Sequence, residues 1–153
     1  MSQRDNKSKR KILPIVLSGG VGSRLWPLSR EAHPKPFIKL SGGQSLLQKS
    51  YIRACNISDS DEVVTVTNRD LFFYSKDEFK EIGVSASKNI FLLEPVGRNS
   101  AAAIAIAAHY ALCAHGDDCI MLVMPADHLV HDMEAFTQAI KQEEAMIGNA
   151  NRH

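Results

Sequence analysis

Long apolar runs, a strong charge of either sign and a rich supply of cysteine are all missing from this 153-residue sequence. No segment approaches the roughly 18 consecutive apolar residues of a transmembrane helix. Residues 12–17 form an apolar run after a basic start, but a signal peptide needs an apolar core of about 7–15 residues. A formal net charge of +1 gives no case for a general nucleic-acid-binding surface. We therefore expect a cytoplasmic protein that binds neither membrane nor nucleic acid.

The three cysteines, Cys55, Cys113 and Cys119, are odd in number and lack the spacing of a metal site. Free cysteines of this kind are usually buried, where they behave as small apolar residues. The spacing therefore predicts reduced, buried thiols.

The length fits a single domain, since domains commonly contain about 100–200 residues. We predict a flexible basic tail over residues 1–11 and the nucleotide-binding part of one domain over residues 12–153. The basic residues of the tail are Arg4, Lys7, Lys9, Arg10 and Lys11.

Apolar runs predict four strands, and helical patterns lie between them. The strands are expected at residues 12–17, 62–67, 89–93 and 119–124. The helices are expected at 46–55, 70–81, 100–115 with Asn99 as its cap, and 133–147. This alternation predicts an α/β fold with a mostly parallel sheet and helices on both faces. The third helix is apolar almost all round, which predicts burial on several sides. Because four strands make a small sheet, we expect an incomplete domain.

The first predicted strand runs into a loop of small residues, which reads Ser18-Gly19-Gly20-Val21-Gly22-Ser23-Arg24. A dinucleotide-binding fingerprint would need a third glycine where Leu25 stands, and a Walker A loop would need a Gly-Lys pair. Glycines still let backbone N–H groups approach phosphate oxygens, and Arg24 adds a forked cationic donor. Taken alone, the loop is better explained as a glycine turn with a surface arginine.

Three further features make phosphate binding a better explanation: the Pro-Lys-Pro segment, the segment "EPVGRN" and the segment "MPADH". Lys35 lies between Pro34 and Pro36, which fix the local backbone, so its ammonium can act as a placed positive charge. For this segment alone, an ordinary loop lysine explains the pattern equally well. The segment "EPVGRN" brings Glu94, Arg98 and Asn99 to the start of the third helix, where anions are attracted.

Glu94 could instead accept hydrogen bonds from a base edge, and the alternative for the whole segment is an ordinary helix capped by Asn99 with a solvent-facing Arg–Glu pair. Asp127 follows the fourth strand in "MPADH", where a carboxylate suits Mg²⁺ beside a phosphate site or caps the next segment.

Taken in order, "LSGGVGSRLWPLSREAHPKPF", "EPVGRN" and "MPADH" resemble the sugar-nucleotide pyrophosphorylase family. Trp26 and "EPVGRN" point to its mannose-1-phosphate guanylyltransferase branch. The resemblance implies a Rossmann-like, glycosyltransferase-A-like nucleotidyltransferase fold, of which this chain covers the N-terminal part.

The implied reaction converts GTP and mannose 1-phosphate to GDP-mannose and pyrophosphate, with Mg²⁺ as cofactor. Arg24, Lys35 and Asp127 are the implied catalytic residues, with Arg24 on the departing pyrophosphate, Lys35 on the α-phosphate and Asp127 as the Mg²⁺ ligand. The nucleotide-binding residues that the resemblance implies are Leu17, Ser18, Gly19, Gly20, Gly22, Ser23, Arg24, Glu94, Arg98 and Asn99. A homo-oligomer is compatible with it. The alternatives are a non-catalytic nucleotide-binding fragment, or nucleotidyl transfer to another sugar 1-phosphate.

Overall fold

The computed structural model describes residues 10–19, 34–59, 61–83, 88–117 and 119–150. Four of the predicted site residues, Gly20, Gly22, Ser23 and Arg24, lie outside these ranges, as do residues 1–9 of the predicted tail. Lys11, the last residue assigned to that tail, belongs to the first strand.

The described residues form four strands and four α-helices that alternate along the chain, as predicted. The strands are β1 (Lys11–Ser18), β2 (Glu62–Asn68), β3 (Lys88–Glu94) and β4 (Cys119–Pro125). The helices are α1 (Leu46–Ile57), α2 (Arg69–Glu81), α3 (Asn99–His115) and α4 (Met133–Ala150), and a single 3₁₀ turn covers Lys35–Phe37.

The strands pair in the order β3-β2-β1-β4, and every pairing is parallel. In the centre of the sheet, Ile15 aligns with Val64 of β2 on one side and Val123 of β4 on the other. Parallel pairing brings the carboxyl ends of all four strands to one edge, where open α/β sheets bind their ligands. The α/β prediction is confirmed.

Apolar side chains cover both faces of the sheet. On one face, Val16 and Val63 pack with Leu47 and Tyr51 of α1 and Phe79 of α2. On the other face, Leu13, Ile15, Val64 and Val66 pack against Ala103, Ala107 and Ala111 of α3. Helices therefore lie on both faces, as predicted.

A capping box starts α1, as the sequence predicts. The Ser45 hydroxyl accepts a hydrogen bond from the Gln48 amide at 3.1 Å, and the Gln48 side chain accepts one from the Ser45 amide at 2.9 Å. These two bonds satisfy amide groups that a helix start otherwise leaves without partners.

The prediction that α3 is buried on several sides is wrong for the described structure. The helix contacts the sheet through the alanine stripe at positions 103, 107 and 111, whereas Ile106 is 40% exposed and Leu112 is 54% exposed. None of the described elements packs over that outer face. The apolar composition of a helix shows which side chains could be buried, but the elements that pack against the helix determine which of them are buried.

The cysteine prediction is half right. Cys55, Cys113 and Cys119 are all free, but Cys113 is exposed on α3 and the other two are only partly buried. None of the helices in the described ranges combines the length and the apolar character needed to cross a bilayer.

A buried carboxylate, Glu62, lies at the amino edge of the sheet, opposite the carboxyl ends of the strands. Glu62 accepts hydrogen bonds from Tyr110 at 2.6 Å and Lys88 at 3.1 Å, with His115 at 3.4 Å. Burial raises the pKa of Glu62, but the hydrogen bonds from Tyr110, Lys88 and His115 outweigh burial and hold the pKa below its usual value. The ionised carboxylate thus ties β2 to β3 and to the end of α3.

Candidate functional site

A cleft of about 690 Å³ opens at the carboxyl edge of the sheet. Its walls bring together residues that are far apart in the sequence: they lie at the carboxyl ends of the strands, in the segments and helix starts that follow, or in the Pro-Lys-Pro segment. Six of the residues predicted for the site line the cleft: Leu17, Gly19, Lys35, Glu94, Asn99 and Asp127.

The end of β1 forms the centre of this cleft and is bonded on both sides. The Thr67 hydroxyl donates to the Ser18 carbonyl at 3.0 Å, and the Ala126 amide donates to the Leu17 carbonyl at 2.9 Å. The second bond draws the turn after β4 alongside β1. Ser18 itself is fully buried and does not line the cleft, and its hydroxyl has no hydrogen-bond partner among the described residues.

Lys35 is held by its neighbours in sequence. Pro34 precedes the 3₁₀ turn with a φ of −64°, and the Phe37 amide closes the turn on the Pro34 carbonyl at 3.0 Å. Pro36 and Phe37 are buried, so the turn is anchored while the Lys35 side chain stays 31% exposed. This agrees with the predicted stiffening of the Pro-Lys-Pro segment.

Asp127 lies across the cleft edge from this turn and pairs with Lys35. The Lys35 ammonium donates to the Asp127 carboxylate at 2.9 Å, with both side chains about one-third exposed. The capping alternative for Asp127 is wrong, because Asp132 accepts the bond from the Ala135 amide at the start of α4. The ion pair joins two residues that are 92 positions apart and that the sequence assigned to one phosphate site.

Glu94 approaches the end of β1 from two strands away. The residue is 7% exposed, and a Cβ added at Gly19 would lie 3.3 Å from the Glu94 Oε2 atom. Real Cβ atoms seldom come so close, so the glycine makes room for the carboxylate. The alternative of a solvent-facing Glu–Arg pair is wrong, since Glu94 is buried and Arg98 is exposed outside the cleft lining.

The first turn of α3 borders the cleft without a side-chain cap. Asn99 does not cap the helix as predicted; Arg98 occupies the N-cap position, and its side chain makes no capping bond. Asn99 has a φ of 63°, a left-handed conformation that asparagine tolerates better than most residues. The amide groups of this turn therefore have no side-chain cap, an arrangement that suits an anion.

The cleft contains carboxylates from three strand ends, but these do not form a ready-made metal cage. Among the described residues, no group of three or more histidine, cysteine, aspartate or glutamate side chains could hold a metal ion. A Mg²⁺ ion does not need one, because it commonly takes one or two protein carboxylates together with phosphate oxygens and waters. Asp127, partly exposed at the cleft, fits that kind of site.

β2 also contributes to the cleft, which the sequence motifs did not predict. Asn68, at the end of β2, and Asp70, in the first turn of α2, both line the cavity. Asn68 also caps α2, since its side chain accepts from the Leu71 amide at 2.8 Å. The rule that ligands bind beyond the carboxyl ends of strands, applied to all four strands, identifies both residues.

Comparison with known protein families identifies the family to which the chain belongs. The model of the nucleotidyl transferase family matches residues 13–150, which is nearly all of the chain. The chain belongs to the nucleotidyl transferase family. The family membership predicted from the three ordered motifs is therefore confirmed.

Curated members of the family share a high identity with this nucleotidyl transferase chain. Mannose-1-phosphate guanylyltransferase RfbM of Salmonella typhimurium is 44% identical over 138 residues, which are 90% of this chain and 28% of that protein. Xanthan biosynthesis protein XanB of Xanthomonas campestris pv. campestris is 44% identical over 129 residues, 84% of this chain and 27% of that protein. The chain thus spans little more than a quarter of the length of these relatives.

The solved structures agree with the sequence comparison. The crystal structure of mannose-1-phosphate geranyltransferase from Thermus thermophilus superposes with a TM-score of 0.71 at 34% identity. The match covers 86% of this chain and 37% of that one. The nucleotidyltransferase fold expected from the motifs is therefore confirmed for the part of the fold that this chain spans.

Proposed function

We propose that this chain forms the nucleotide-binding part of a mannose-1-phosphate guanylyltransferase, which makes GDP-mannose and pyrophosphate from GTP and mannose 1-phosphate. The observation that carries the proposal is the Lys35–Asp127 pair at 2.9 Å on the cleft of a nucleotidyl transferase family member. The 44% identity to a protein named mannose-1-phosphate guanylyltransferase supports guanylyl and mannose substrates over the other sugar nucleotides.

The reaction needs positioning and charge neutralisation more than it needs proton transfer. The phosphate of the sugar attacks the α-phosphorus of GTP and pyrophosphate leaves, so the nucleophile is already an anion and requires no general base. Negative charge builds on the α-phosphate oxygens in the transition state, where the ammonium of Lys35 would stabilise it. The anchored 3₁₀ turn keeps that ammonium in place before substrate arrives.

Asp127 would hold Mg²⁺, which neutralises phosphate oxygens when it is bound. The ion pair fits such a role because each partner has a proposed ligand of its own in the reaction: the α-phosphate for Lys35 and Mg²⁺ for Asp127. A triphosphate beside Lys35 would compete with Asp127 for the ammonium, which leaves the Asp127 carboxylate for the metal.

Glu94 would select the base. The Watson–Crick edge of guanine carries two adjacent N–H donors, and a carboxylate offers two acceptor oxygens to meet them. Uracil and thymine present one such donor, so a buried carboxylate favours guanine over both. The approach of Glu94 to Gly19 keeps this acceptor beside the end of β1.

The test is release of pyrophosphate by the 153-residue chain with GTP and mannose 1-phosphate. GTP is compared with dTTP and UTP, and mannose 1-phosphate with glucose 1-phosphate. Asp127→Asn is expected to weaken the response to Mg²⁺ and to lower activity, whereas Asp77→Asn, which changes an exposed pair on α2, is expected to leave both unchanged. An unaltered metal titration in Asp127→Asn would remove Asp127 from the site.

Other outcomes of the same assay identify the alternatives. Turnover without a preference for GTP or mannose 1-phosphate would indicate nucleotidyl transfer to another sugar 1-phosphate. GTP binding without release of pyrophosphate would indicate a non-catalytic nucleotide-binding chain. The roles of Gly20, Gly22, Ser23 and Arg24, a cytoplasmic location and a homo-oligomer stay predictions.

A further inference from the structure

Arg53 is a buried cation in the middle of α1, and the residue is only 3% exposed. No carboxylate among the described residues pairs with it, and burial lowers the pKa of its guanidinium from the usual value. A buried charge costs free energy unless polar groups compensate for it. The contacts of this guanidinium therefore indicate what the fold gains from it.

The hydrogen bonds of the Arg53 side chain lead towards the turn after β4. Its Nη2 atom donates to the Ser50 hydroxyl at 2.9 Å and to the His128 carbonyl at 3.4 Å. The Ser50 hydroxyl in turn lies 3.4 Å from the carbonyl oxygens of Pro125 and Ala126, and it donates to one of them at a time. Carbonyl groups on both sides of Asp127 are thus tied to one guanidinium.

A second contact fixes the plane of the guanidinium. The Arg53 Cζ atom lies 5.5 Å from the ring centroid of Phe136 in α4, within the range of a cation–π interaction. The helix that carries Arg53 is itself tied down: the Ser45 hydroxyl donates to Glu78 of α2, and the Tyr51 hydroxyl donates to Asn89 of β3. Arg53 therefore connects a fixed helix to the turn that bears Asp127.

We propose that Arg53 is a positioning residue, which holds the turn at residues 125–128 so that the Asp127 carboxylate stays at the cleft beside Lys35. The effect of Arg53 on Mg²⁺ binding rests on the proposed function of Asp127 as the metal ligand. The effect of Arg53 on the turn at residues 125–128 can be tested without nucleotide or metal. A methionine has a similar length and no donors, so Arg53→Met removes the bonds while it keeps much of the volume. Lys49→Met on the same helix makes a matched change at a partly exposed position.

The first measurement is amide hydrogen exchange of the whole chain. In Arg53→Met, exchange at residues 126–130 is expected to rise by about tenfold or more, the effect of losing hydrogen bonds to a charged group. Amides in the centre of the sheet, such as Ile15 and Val64, are expected to change little, and Lys49→Met is expected to match the parent chain. A uniform rise over the whole chain, or no rise at the turn, would overturn the proposal.

The second measurement is a double-mutant cycle on the gain in GTP affinity that Mg²⁺ produces. Arg53→Met and Asp127→Asn are each expected to reduce that gain, and the double variant is expected to match Asp127→Asn alone. Additive losses would mean that Arg53 does not act through Asp127. If Mg²⁺ has no effect on the parent chain, the proposed metal role of Asp127 fails, and hydrogen exchange alone decides the role of Arg53.

A milder variant covers the case in which Arg53→Met does not fold. Ser50→Ala removes the link to Pro125 and Ala126 and one hydrogen bond of the guanidinium, but it keeps the arginine and its bond to the His128 carbonyl. Faster exchange confined to the turn is expected, and unchanged exchange there would contradict the proposal.

Discussion

Replacing Glu62 by glutamine tests the energetics of the fold far from the cleft. The substitution keeps the shape and one acceptor oxygen but removes the charge that meets Tyr110 at 2.6 Å and Lys88 at 3.1 Å. It also offers an amide donor where the second carboxylate oxygen faced Lys88.

The size of the effect follows from the burial of Glu62 and of its partners. The Glu62 side chain is 4% exposed and His115 is 17% exposed, whereas Lys88 is 58% exposed and contributes little because solvent screens its charge. Hydrogen bonds to a buried charged group are each worth about 1.5–3 kcal/mol. With the Tyr110 bond weakened rather than lost, we expect the free energy of unfolding to fall by about 2 kcal/mol near neutral pH.

The effect should depend on pH in a defined direction. Burial raises the pKa of Glu62, but the bonds from Tyr110, Lys88 and His115 bring it below the ordinary value in the folded chain. The stabilisation from the ionised group is therefore complete above the unfolded pKa of about 4.3 and is lost as pH falls through the folded pKa. The difference between the parent chain and Glu62→Gln should shrink below about pH 4.

Urea unfolding over a pH series measures both the size and the trend. Asp77→Asn, which breaks an exposed pair with Lys80 at 3.4 Å, is the control and should change the free energy of unfolding by less than about 0.5 kcal/mol. A loss in Glu62→Gln below about 0.5 kcal/mol at neutral pH, or a loss that stays constant as pH falls, would refute the reasoning.

Two further predictions concern the cleft. Lys35→Met should lower turnover by roughly 100-fold and GTP affinity much less, because its charge acts mainly in the transition state; Lys39→Met, outside the cleft lining, is the control. Equal losses in turnover and affinity would mean that Lys35 only tethers substrate. Gly19→Ala should weaken GTP binding by about tenfold, the effect of losing one hydrogen bond, because the new Cβ displaces Glu94. The control is Gly42→Ala, whose new Cβ meets no atom within 4 Å, and this variant should bind GTP normally. Unchanged GTP affinity in Gly19→Ala would separate Glu94 from the nucleotide.

Local patterns and topology predicted most of the fold. Hydrophobic runs located all four strands, and the Ser45–Gln48 pair located the start of α1 because capping depends on residues close in sequence. The meeting of Lys35 and Asp127 followed from topology, since parallel strands bring their carboxyl ends to one edge.

The burial of α3 could not be read from its composition. Ala107 is fully buried whereas Ile106 is 40% exposed, although both are apolar and adjacent in sequence. Small side chains let the helix lie close to the sheet, and the burial of the larger ones depends on which elements pack over them.

Arg53 shows the limit for the site itself. An arginine on an amphipathic helix usually lies at the surface, yet tertiary packing with Phe136 buries this one. Its bond to the His128 carbonyl joins residues 75 positions apart, so no local pattern predicts the contact. Asn99 is similar, because its left-handed backbone prevents the capping that its residue type favours.

The most direct test of the central claim is to map GTP binding by amide chemical shifts on the 153-residue chain with Mg²⁺ present. The cleft at the carboxyl edge predicts the largest changes at Leu17, Gly19, Lys35, Asn99 and Asp127. The amides around Glu62, at the opposite edge of the sheet, should keep their shifts. Changes centred on the amino edge, or no changes at saturating GTP, would contradict the assignment of this cleft as the nucleotide site.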